Sequence, residues 1–497
     1  MNRFGRFLPD IPGIFCFISF FFLVLFGGGR ALLDGDTLWH IKAGTIMLRE
    51  GRILTTDIFS HTAFGKPWVA HEWLSEIIMG KIYNFAGLPG VAIIYFFLAV
   101  MTFWILFRIA RQYVNEWFSF FCVALAFTLA YTHLLARPHI FTWFLGAVTL
   151  WILTSGGKKL FALPFIMVLW ANLHGGFVLG LVFQAIFILG GVLEVWPQTN
   201  TPKLSSILKQ FRVPLIVLGL SILVTGINPF GYKLLLFPFQ ATKEVFINGI
   251  GEWRSPNLRD MWYFRFYVLL ILLLLMFRRK RTSWTATLLL LFFLNEAFTY
   301  VRDVSLAGLF LTPFLAETLQ PWSERYSERY SDHRQGKKQL ALSATSGPIA
   351  TLVACAVLLW IPTMNFSSWK TVSGEMFPLP DAYSKSAIQF IEKNRPKGKM
   401  FNEYSWGDYL IFALNPPRKV FIDGRADMYG EKIFGDYKAI AGLDAKTNEL
   451  LEKYKVDWVV FPPDKPLTLY LKAEGNWKEV YRDDQVSILV RKAPEPS

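Results

Sequence analysis

The sequence is poor in cysteine and in charged residues. It has only 3 cysteines among 497 residues, and Cys16, Cys122 and Cys355 all lie within apolar runs. The segments between these runs therefore have no disulfide and no thiolate metal cluster. Charged residues make up 18% of the chain, whereas 53% is hydrophobic and 17% is aromatic. This composition excludes an ordinary soluble enzyme and indicates an integral membrane protein.

The apolar residues fall into long runs that read as membrane spans. A helix-length window predicts about eleven of them. They lie near Ile14–Gly27, Val91–Phe107, Phe118–Leu135, Ile140–Leu153, Leu160–Leu173, Gly176–Leu193, Val213–Ile227, Phe264–Phe277, Trp284–Phe298, Val304–Leu315 and Pro348–Pro362. Several are shorter than the ~20 residues that cross a bilayer core, so one pair could be a single broken helix. The predicted fold class is a polytopic α-helical membrane protein.

The basic residues predict the orientation of the chain. The net charge is +14, but lysine and arginine are concentrated in alternate loops, as expected for loops on the cytoplasmic side. We therefore expect a cytoplasmic N-terminus, an exported C-terminal tail and no nucleic-acid partner. The N-terminal stretch could also be a cleaved signal peptide. The acidic loop that follows it favours a retained first helix.

Three exported segments are long enough to carry a function. The first, Arg30–Pro89, contains two stretches with helical periodicity, Thr37–Arg49 and Glu72–Phe85, and both are predicted to lie at the membrane interface. The second is Asn228–Tyr263 and the third is the tail. We divide the chain into a membrane module, residues 1–364, which includes residues 30–89 and 228–263, and an exported domain, residues 365–497.

The exported tail alternates between helical and strand patterns. This alternation predicts a small α/β domain. The predicted helices are Ser384–Lys393, Tyr404–Phe412 and Glu431–Ile440, and the predicted strands are Lys419–Asp423, Val456–Phe461 and Val486–Val490. The stretch "FIDGRAD", Phe421–Asp427, follows the first strand. Asp-Gly is first of all a turn signal, so a structural role is favoured there over a ligand site.

Ionisable residues gather on the exported side, many of them at the ends of spans. Charges close to hydrocarbon are costly, so such residues are usually functional or paired. A merely solvated outer face would explain any one of them, but less easily their company with several tryptophans. The candidate site residues are Asp34, Asp36, His40, His71, Glu72, Arg137, His139, His174, Glu252, Arg254 and Arg302.

Some of these candidates have simple structural explanations. Arg137 could end a helix before Pro138, which is about as plausible as phosphate binding. His174 precedes Gly175 and Gly176, so it could cap a short turn between two spans, and a catalytic role is the minority interpretation. Glu72 could act as a charge at a helix N-terminus.

Several local strings resemble the GT-C superfamily of membrane glycosyltransferases, in particular a broad group of bacterial envelope proteins assigned to it. These strings are "DGDTLWHIKAG", "TTDIFSHTAFGKPWVAHEWLSE", "RPHIF", "ANLHGGF", "INPFGY", "GEWRSP" and "WGDYLI…VFIDGRADMYG". The order of an early acidic motif, a long first exported loop, about eleven spans and a terminal α/β domain is also similar. The resemblance covers essentially the whole chain as architecture and only loosely as substrate.

The resemblance implies a function and a catalytic residue. In this superfamily an acid of the first exported loop acts on the acceptor, and Asp34 and Asp36 match that position. Asp36 is favoured, while Asp34 could cap the helix, start the turn or coordinate a metal. Some members hold a divalent cation such as Mg²⁺ or Mn²⁺ and others need none, so cofactor use stays open.

The site chemistry fits a lipid-linked donor. Nucleotide sugars are not available outside the cytoplasm, so we expect a polyprenyl phosphate sugar as donor and an envelope lipid, glycan or protein as acceptor. Arg137, Arg254 and Arg302 would stabilise the leaving phosphate, and Asp36 would act as the base of an inverting displacement. His71 and Glu72 could orient the acceptor or assist the base. The expected location is the bacterial plasma membrane.

Two other classes of protein remain open. A membrane transporter or flippase would place its polar groups near the midplane and often contain inverted repeats, and this sequence has no convincing internal repeat. A noncatalytic membrane scaffold could bind envelope glycan through the tail, but it would not need an acidic motif in the first loop. The carboxylate of Asp36 discriminates among the three, because only the enzyme requires it.

Overall fold

The computed structural model describes residues 32, 34–196, 204–241, 251–278, 281–332 and 384–492. The first and last predicted spans, Ile14–Gly27 and Pro348–Pro362, lie outside these residues, and so do Cys16 and Cys355. Each of the other predicted spans overlaps a helix.

The described part of the chain is mostly helical. Its α-helices are α1 (Asp36–Glu50), α2 (Trp73–Ala110), α3 (Glu116–Ala130), α4 (His139–Ser155), α5 (Leu163–Leu173), α6 (Val178–Val195), α7 (Leu204–Gln210), α8 (Arg212–Val224), α9 (Lys233–Ala241), α10 (Trp262–Met276), α11 (Trp284–Thr299), α12 (Asp303–Phe310), α13 (Thr312–Asp332), α14 (Lys385–Asn394), α15 (Gly407–Leu414), α16 (Ala426–Ala441), α17 (Thr447–Lys453) and α18 (Pro466–Glu474). The strands are β1 (Lys399–Asn402), β2 (Val456–Phe461), β3 (Trp477–Arg482) and β4 (Ser487–Arg491).

Two helical segments of this part are long and apolar enough to cross a membrane, Trp73–Ala110 and Gly175–Val195. Shorter apolar helices accompany them at His139–Ser155, Arg212–Val224, Trp262–Met276 and Trp284–Thr299. These segments support the expectation of a membrane protein, while the number of eleven spans stays a prediction.

The chain divides into two compact units. The first contains residues 1–28, 89–236 and 249–376, and the second contains residues 29–88, 237–248 and 377–497. This division differs from the boundary drawn from the sequence at residue 364. The first exported loop packs with the C-terminal domain in one unit, because buried side chains of the loop form ion pairs and hydrogen bonds with that domain.

Aromatic packing joins the helices of the first unit. Phe183 of α6 contacts both Phe293 of α11 and Phe310 of α12, with ring centroids 5.7 and 5.0 Å apart. The rings of Phe293 and Phe310 are 5.4 Å apart. All three side chains are fully buried, so they form one aromatic centre between these helices.

A mixed four-stranded sheet forms the centre of the C-terminal domain. Its strand order is β1-β2-β4-β3. Strand β1 is parallel to β2, and β4 is antiparallel to both β2 and β3. The sequence of β2, "VDWVVF", is buried at all but one position, as expected for a central strand with both faces covered. The predicted α/β domain is therefore present.

The predicted strand Lys419–Asp423 was wrong. Its residues run beside the sheet without joining it, with an isolated bridge between Val420 and Ser60. The Asn402 side chain takes the place of a neighbouring strand: its oxygen accepts the N–H of Phe421 at 2.8 Å and its amide donates to the carbonyl of Ile422 at 2.9 Å. The segment thus connects the first loop to the end of β1.

The two predicted interfacial helices correspond to α1 and to the first part of α2. The backbone of α2 breaks at Gly87, with φ 66° and ψ −167°, and this residue separates the predicted interfacial stretch from the predicted span. Helix α1 passes against the start of α2 at Gly44, where a Cβ atom would lie 1.7 Å from the carbonyl oxygen of Glu76. Glycine therefore permits the close approach that brings His40 to Glu76.

Candidate active site

The first candidate acid, Asp36, is the first residue of α1. Its backbone N–H donates to a carboxylate oxygen of Asp34 at 2.9 Å, so Asp34 forms the turn before the helix. Trp39 Nε1, one turn later, donates to Asp36 Oδ1 at 3.2 Å. The Asp36 side chain is partly buried. The motif "DGD" therefore gives its two acids different tasks, with Asp34 bound to the backbone and Asp36 presenting its carboxylate.

A second acid, Asp408 of α15, faces the same place as Asp36. Both carboxylates converge on Gly424: a Cβ atom added there would lie 2.3 Å from Asp36 Oδ1 and 2.8 Å from Asp408 Oδ2. The separation between Asp36 Oδ1 and Asp408 Oδ2 therefore cannot exceed the sum of these two distances. Asp408 Oδ1 also accepts the N–H of Gly424 at 2.9 Å. The first loop and the C-terminal domain thus contribute one acid each.

Burial and neighbouring charge favour the protonated form of Asp408. Asp408 is only 4% exposed. Burial, followed by the negative charges of Asp36 and Asp423, raises the pKa of the Asp408 carboxyl well above its usual range. The hydrogen bond from Gly424 acts in the opposite direction but does not outweigh them. Two close carboxyl groups rarely both ionise in a buried place, so one of the pair keeps a proton.

A buried arginine holds the turn that contains Gly424. Arg425 Nε and Nη2 donate to the two oxygens of Asp423 at 2.8 and 2.6 Å. Nη2 also lies 2.9 Å from an oxygen of Asp57, a residue of the first loop. Tyr429 donates a further hydrogen bond to Asp423. Although burial opposes the charge of Arg425, Asp423 and then Asp57 raise the pKa of the guanidinium above its usual value.

Three aromatic rings surround the Arg425 guanidinium. Its carbon lies 4.9 Å from the ring centroids of both Phe59 and Trp68, and 5.7 Å from that of Trp39. Rings at these distances stabilise a cation through their electron-rich faces. Trp39 contacts both Arg425 and Asp36, so the same indole ring packs against the ion pairs of Arg425 and against the Asp36 carboxylate. The motif "FIDGRAD" therefore has a structural role, as favoured from the sequence. The side chain of Asp427 is outside the described part.

His40, predicted as a site residue, lies between two glutamates. Its Nδ1 is 3.2 Å from an oxygen of Glu76, and its Nε2 is 3.4 Å from an oxygen of Glu72. His40 is 2% exposed. Each ring nitrogen of His40 therefore has a glutamate carboxyl group as a neighbour. His71 is further from Glu72 than His40 is, at 3.7 Å.

A separate group of candidates occupies the first unit, around Glu252. Arg137 Nη1 is 3.6 Å from a Glu252 oxygen, and His133 Nε2 is 4.0 Å from the same oxygen. Burial works against ionisation of Glu252, but the positive charges of Arg137, then Arg302, then His133 lower its pKa to about 2. Glu252 is therefore an anion that balances part of a cationic cluster.

The backbone positions Arg254 and Arg302 relative to Glu252. The N–H of Val301 donates to the carbonyl of Arg254 at 2.9 Å, and that of Arg302 donates to the carbonyl of Glu252 at 3.2 Å. The Arg302 guanidinium lies over the ring of Trp253, 4.5 Å from its centroid. Arg254 itself is exposed. Arg137, Glu252 and Arg302 are therefore brought together, while Arg254 contributes to the cluster through its backbone.

His139 and His174 have structural contacts in the same unit. His139 Nε2 donates to the carbonyl of His133 at 2.9 Å. The N–H of Gly176 donates to His174 Nδ1 at 2.9 Å, which confirms the prediction that His174 caps the turn. Thr142 lies 2.8 Å from the same nitrogen and accepts the indole N–H of Trp170. Because Nδ1 accepts the N–H of Gly176, His174 carries no proton on that nitrogen.

The predicted residues thus form two groups in different units. Asp34, Asp36, His40, His71 and Glu72 belong to the second unit, whereas Arg137, His139, His174, Glu252, Arg254 and Arg302 belong to the first. A single site that joins the two groups stays a prediction. The sequence reasoning missed Asp408 as a partner of Asp36. The sequence did show an acid at the start of the apolar helix "GDYLIFAL", but an acid in a first turn is also explained by the helix dipole.

Several of the acids around Asp36 already have hydrogen-bond partners in the protein. One oxygen of Asp34 is bound to the backbone of Asp36, and Asp423 is occupied by Arg425 and Tyr429. Within the described ranges, no group of three or more His, Cys, Asp or Glu side chains could hold a metal ion. Use of a divalent cation by Asp34 and Asp36 therefore stays a prediction.

The chain shares its fold with solved structures of an archaeal oligosaccharyltransferase. The chain is similar to the oligosaccharyltransferase of Archaeoglobus fulgidus in its apo form, with a TM-score of 0.58 at 11% identity over 91% of this chain and 69% of that chain. The chain has the fold of the archaeal oligosaccharyltransferases. It is also similar to AglB from the same organism, in complex with an inhibitory peptide and a dolichol-phosphate, with a TM-score of 0.53 at 9% identity over 90% of this chain and 68% of that chain.

At these identities the likeness concerns the fold alone. It agrees with the overall architecture that the resemblance predicted, whereas the superfamily and the membrane location stay predictions. No family model matches the sequence, and no curated protein matches it either.

Proposed function

We propose that this protein is a membrane glycosyltransferase that moves a sugar from a lipid-linked donor to an acceptor on the non-cytoplasmic face. The observation that carries the proposal is the carboxylate of Asp36, which is partly buried at the start of α1 and faces Asp408 across Gly424. An acid in such a place on a glycosyltransferase fold is suited to act as a general base.

The donor is a polyprenyl phosphate sugar and the reaction inverts the anomeric carbon. Asp36 accepts the proton of the acceptor hydroxyl as its oxygen attacks that carbon. The bond between the anomeric carbon and the phosphate oxygen breaks, and the electron pair leaves with the lipid phosphate. The complex of AglB with dolichol-phosphate supports a lipid phosphate donor for this chain.

Arg137 and Arg302 are proposed to hold the charge of the leaving phosphate. Their contacts support this role, because both cations act on Glu252 and lower its pKa, so they are gathered in one place. Cations gathered in this way can stabilise a phosphate as its negative charge increases. Arg254, which is exposed, is suited to an earlier contact with the lipid head group.

His40, His71 and Glu72 are proposed to orient the acceptor. His40 lies 3.4 Å from Glu72, and the tilted ring of Trp39 contacts the His40 ring with centroids 3.7 Å apart, so the Glu72 carboxylate is kept beside α1. The acceptor is an envelope lipid, glycan or protein. The inhibitory peptide bound to AglB supports a protein among these classes.

The proposed location is the bacterial plasma membrane, with the N-terminus in the cytoplasm and the C-terminal domain outside it. Of the two versions of the chemistry left open by the sequence, the one without a divalent cation is proposed. The acids near Asp36 are occupied by the backbone, by Arg425 and by Tyr429, and this supports a proton-transfer role for Asp36 rather than metal binding.

The test is mass spectrometry of envelope lipids, glycans and glycoproteins from cells that lack the protein. The cells are rescued with the native chain, with Asp36→Asn or with the control Asp464→Asn, at matched membrane levels. Asp464 is 87% exposed, so its carboxylate should be dispensable.

We expect the native chain and the control to restore a missing hexose or pentose unit. Asp36→Asn should lower the transfer rate by about 10²- to 10⁴-fold, the usual contribution of a general base. Full rescue by Asp36→Asn would remove Asp36 from the mechanism. A deletion strain with unchanged glycans would leave a transporter or a scaffold as the better explanation.

A further inference from the structure

We propose that Asp408 and Gly424 of the C-terminal domain are positioning residues for Asp36, with Asp408 carrying the single proton of the carboxyl pair. The inference rests on the proposed function and extends it, because it makes the C-terminal domain part of the reacting site. It also gives the strings "WGD" and "DGR" a specific task.

The first argument is steric. The backbone of Gly424 is not in the left-handed region, so its conformation would accept a side chain. A Cβ atom there would nevertheless lie only 2.3 Å from Asp36 Oδ1, well inside the 3.4 Å at which ordinary contact begins. The absence of a side chain at Gly424 therefore determines where the Asp36 carboxylate can lie. The Arg425 ion pairs with Asp423 and Asp57 hold this turn in place.

The second argument concerns the packing that brings Asp408 to the pair. A Cβ atom at Gly407 would lie 2.2 Å from the carbonyl oxygen of Ile422. Helix α15 can therefore begin directly against the segment that leads to Gly424. Asp408, the next residue, then accepts the N–H of Gly424 with Oδ1, and its Oδ2 lies beside the same Cβ position as Asp36 Oδ1.

The third argument concerns charge. The groups that act on Asp408 are Asp36 and Asp34 from the first loop and Asp423 from the turn, and all three are acids. Arg425 is engaged with Asp423 and Asp57. An anion at Asp408 would therefore face further negative charge in a buried place, and a proton on Asp408 removes that repulsion.

A proton on Asp408 has a clear consequence for Asp36. A neutral carboxyl can donate a hydrogen bond to the neighbouring carboxylate, which keeps Asp36 ionised and oriented before the acceptor arrives. When Asp36 accepts the proton of the acceptor hydroxyl, the two carboxyl groups of Asp36 and Asp408 together hold two protons. Asp408 need not contact the acceptor or the donor, so it acts through Asp36.

The steric argument is tested by Gly424→Ala. The added methyl group meets the end of a flexible side chain rather than backbone, so the chain should fold and Asp36 should move by roughly 1 Å, which can cost on the order of 10²-fold in rate. The matched control is Gly435→Ala in α16, where a Cβ atom has no neighbour within 4 Å.

Both variants are purified as the full chain and assayed for transfer from a lipid-linked donor that the native chain uses. We expect Gly424→Ala to lower kcat with little change in KM, at an unchanged melting temperature, and Gly435→Ala to match the native chain. Native kcat in Gly424→Ala would overturn the steric argument.

The proton is tested by comparing Asp408→Asn with Asp408→Ala. Asparagine keeps a neutral group of the same shape that can donate a hydrogen bond, so Asp408→Asn should stay within a few-fold of native. Asp408→Ala removes the donor and should lower kcat about 10- to 100-fold and move the acidic limb of the pH profile to higher pH. Equal losses in the two variants would show that Asp408 works as an ionised group and would overturn the proposal.

An infrared measurement separates this proposal from the function itself. The difference spectrum between the native chain and Asp408→Asn at neutral pH should contain the carbonyl stretch of a protonated carboxyl. A carboxylate band in its place would refute the shared proton even if the protein is an active transferase. If no donor supports transfer but the protonated band is present, the proposed function fails and the charge state of the pair stands.

Discussion

Replacement of Arg425 by methionine should strongly destabilise the unit formed by the first loop and the C-terminal domain. Methionine fills much of the volume of the arginine stem but removes its charge. Asp423 and Asp57, both 0% exposed, would then be buried carboxylates without their cation. Removal of one partner of a buried ion pair typically costs about 3–5 kcal/mol. The aromatic contacts of the guanidinium with Phe59 and Trp68 would also be lost.

The matched control is Lys453→Met. Lys453 forms an ion pair with Asp436 at 2.6 Å, the same length as the pair between Arg425 and Asp423, but the Lys453 side chain is 42% exposed. Exposed pairs of this kind contribute about 0–1 kcal/mol. The assay is denaturant unfolding of the purified full chain in detergent, with limited proteolysis of the C-terminal domain as a second measure. We expect a large shift of the midpoint for Arg425→Met and almost none for the control.

The pH dependence provides a sharper test of the same reasoning. Without the cation, burial penalises the ionised form of the two carboxyl groups in the folded variant but not in the unfolded chain, so the folded variant would bind more protons than its unfolded state. Stability must then fall as pH rises. Arg425→Met should consequently be more damaging at pH 8 than at pH 5. A midpoint equal to that of Lys453→Met at both pH values would refute the assignment of Arg425 as the centre of a buried charge network.

Two further predictions concern His61 and a chelator. Burial lowers the pKa of His61 to about 4, below the 6.5 of an unfolded histidine, so the unfolded chain binds more protons between these values and stability should fall by up to about 3 kcal/mol as pH decreases from 6.5 to 4. His61→Gln can still donate to the carbonyl of Met400 and should flatten this part of a plot of melting temperature against pH. An unchanged slope in the variant would contradict the assignment. EDTA should leave the transfer rate of the native chain unchanged, whereas a loss that Mg²⁺ or Mn²⁺ restores would show that a cation assists the acids.

The helices were largely predictable from the sequence because their determinants are local. Long apolar runs gave the positions of α3 to α6 and α10 to α12, and Ser384 correctly marked the start of α14, where its side chain accepts the N–H of Ala387 at 3.0 Å. The strand at Lys419–Asp423 was wrong for the opposite reason. Its backbone groups bind Asn402, about twenty residues earlier in the chain, and a periodic pattern contains no information on that partner.

The candidate site shows the same limit. Asp36 could be selected because its motif directly follows the first apolar run and precedes a helix. Asp408 could not be paired with Asp36, since the two residues are more than 370 positions apart. Their proximity also depends on the absence of a side chain at Gly424, which no periodic pattern indicates. Arg425 was noticed only as part of a turn. Its burial among Trp39, Phe59 and Trp68 is a property of the folded unit rather than of "DGR".

The buried charges explain why the first loop and the C-terminal domain fold as one unit. Asp57 belongs to the loop and Asp423 to the domain, and Arg425 pairs with both. The same loop donates the N–H of His61 to the carbonyl of Val420 and the hydroxyl of Thr62 to that of Phe421. Either part alone would expose these backbone groups and leave a buried ion without one of its partners, which is costly. The geometry of the acid pair therefore depends on both segments, and a change in the tail can act on Asp36 without touching a substrate.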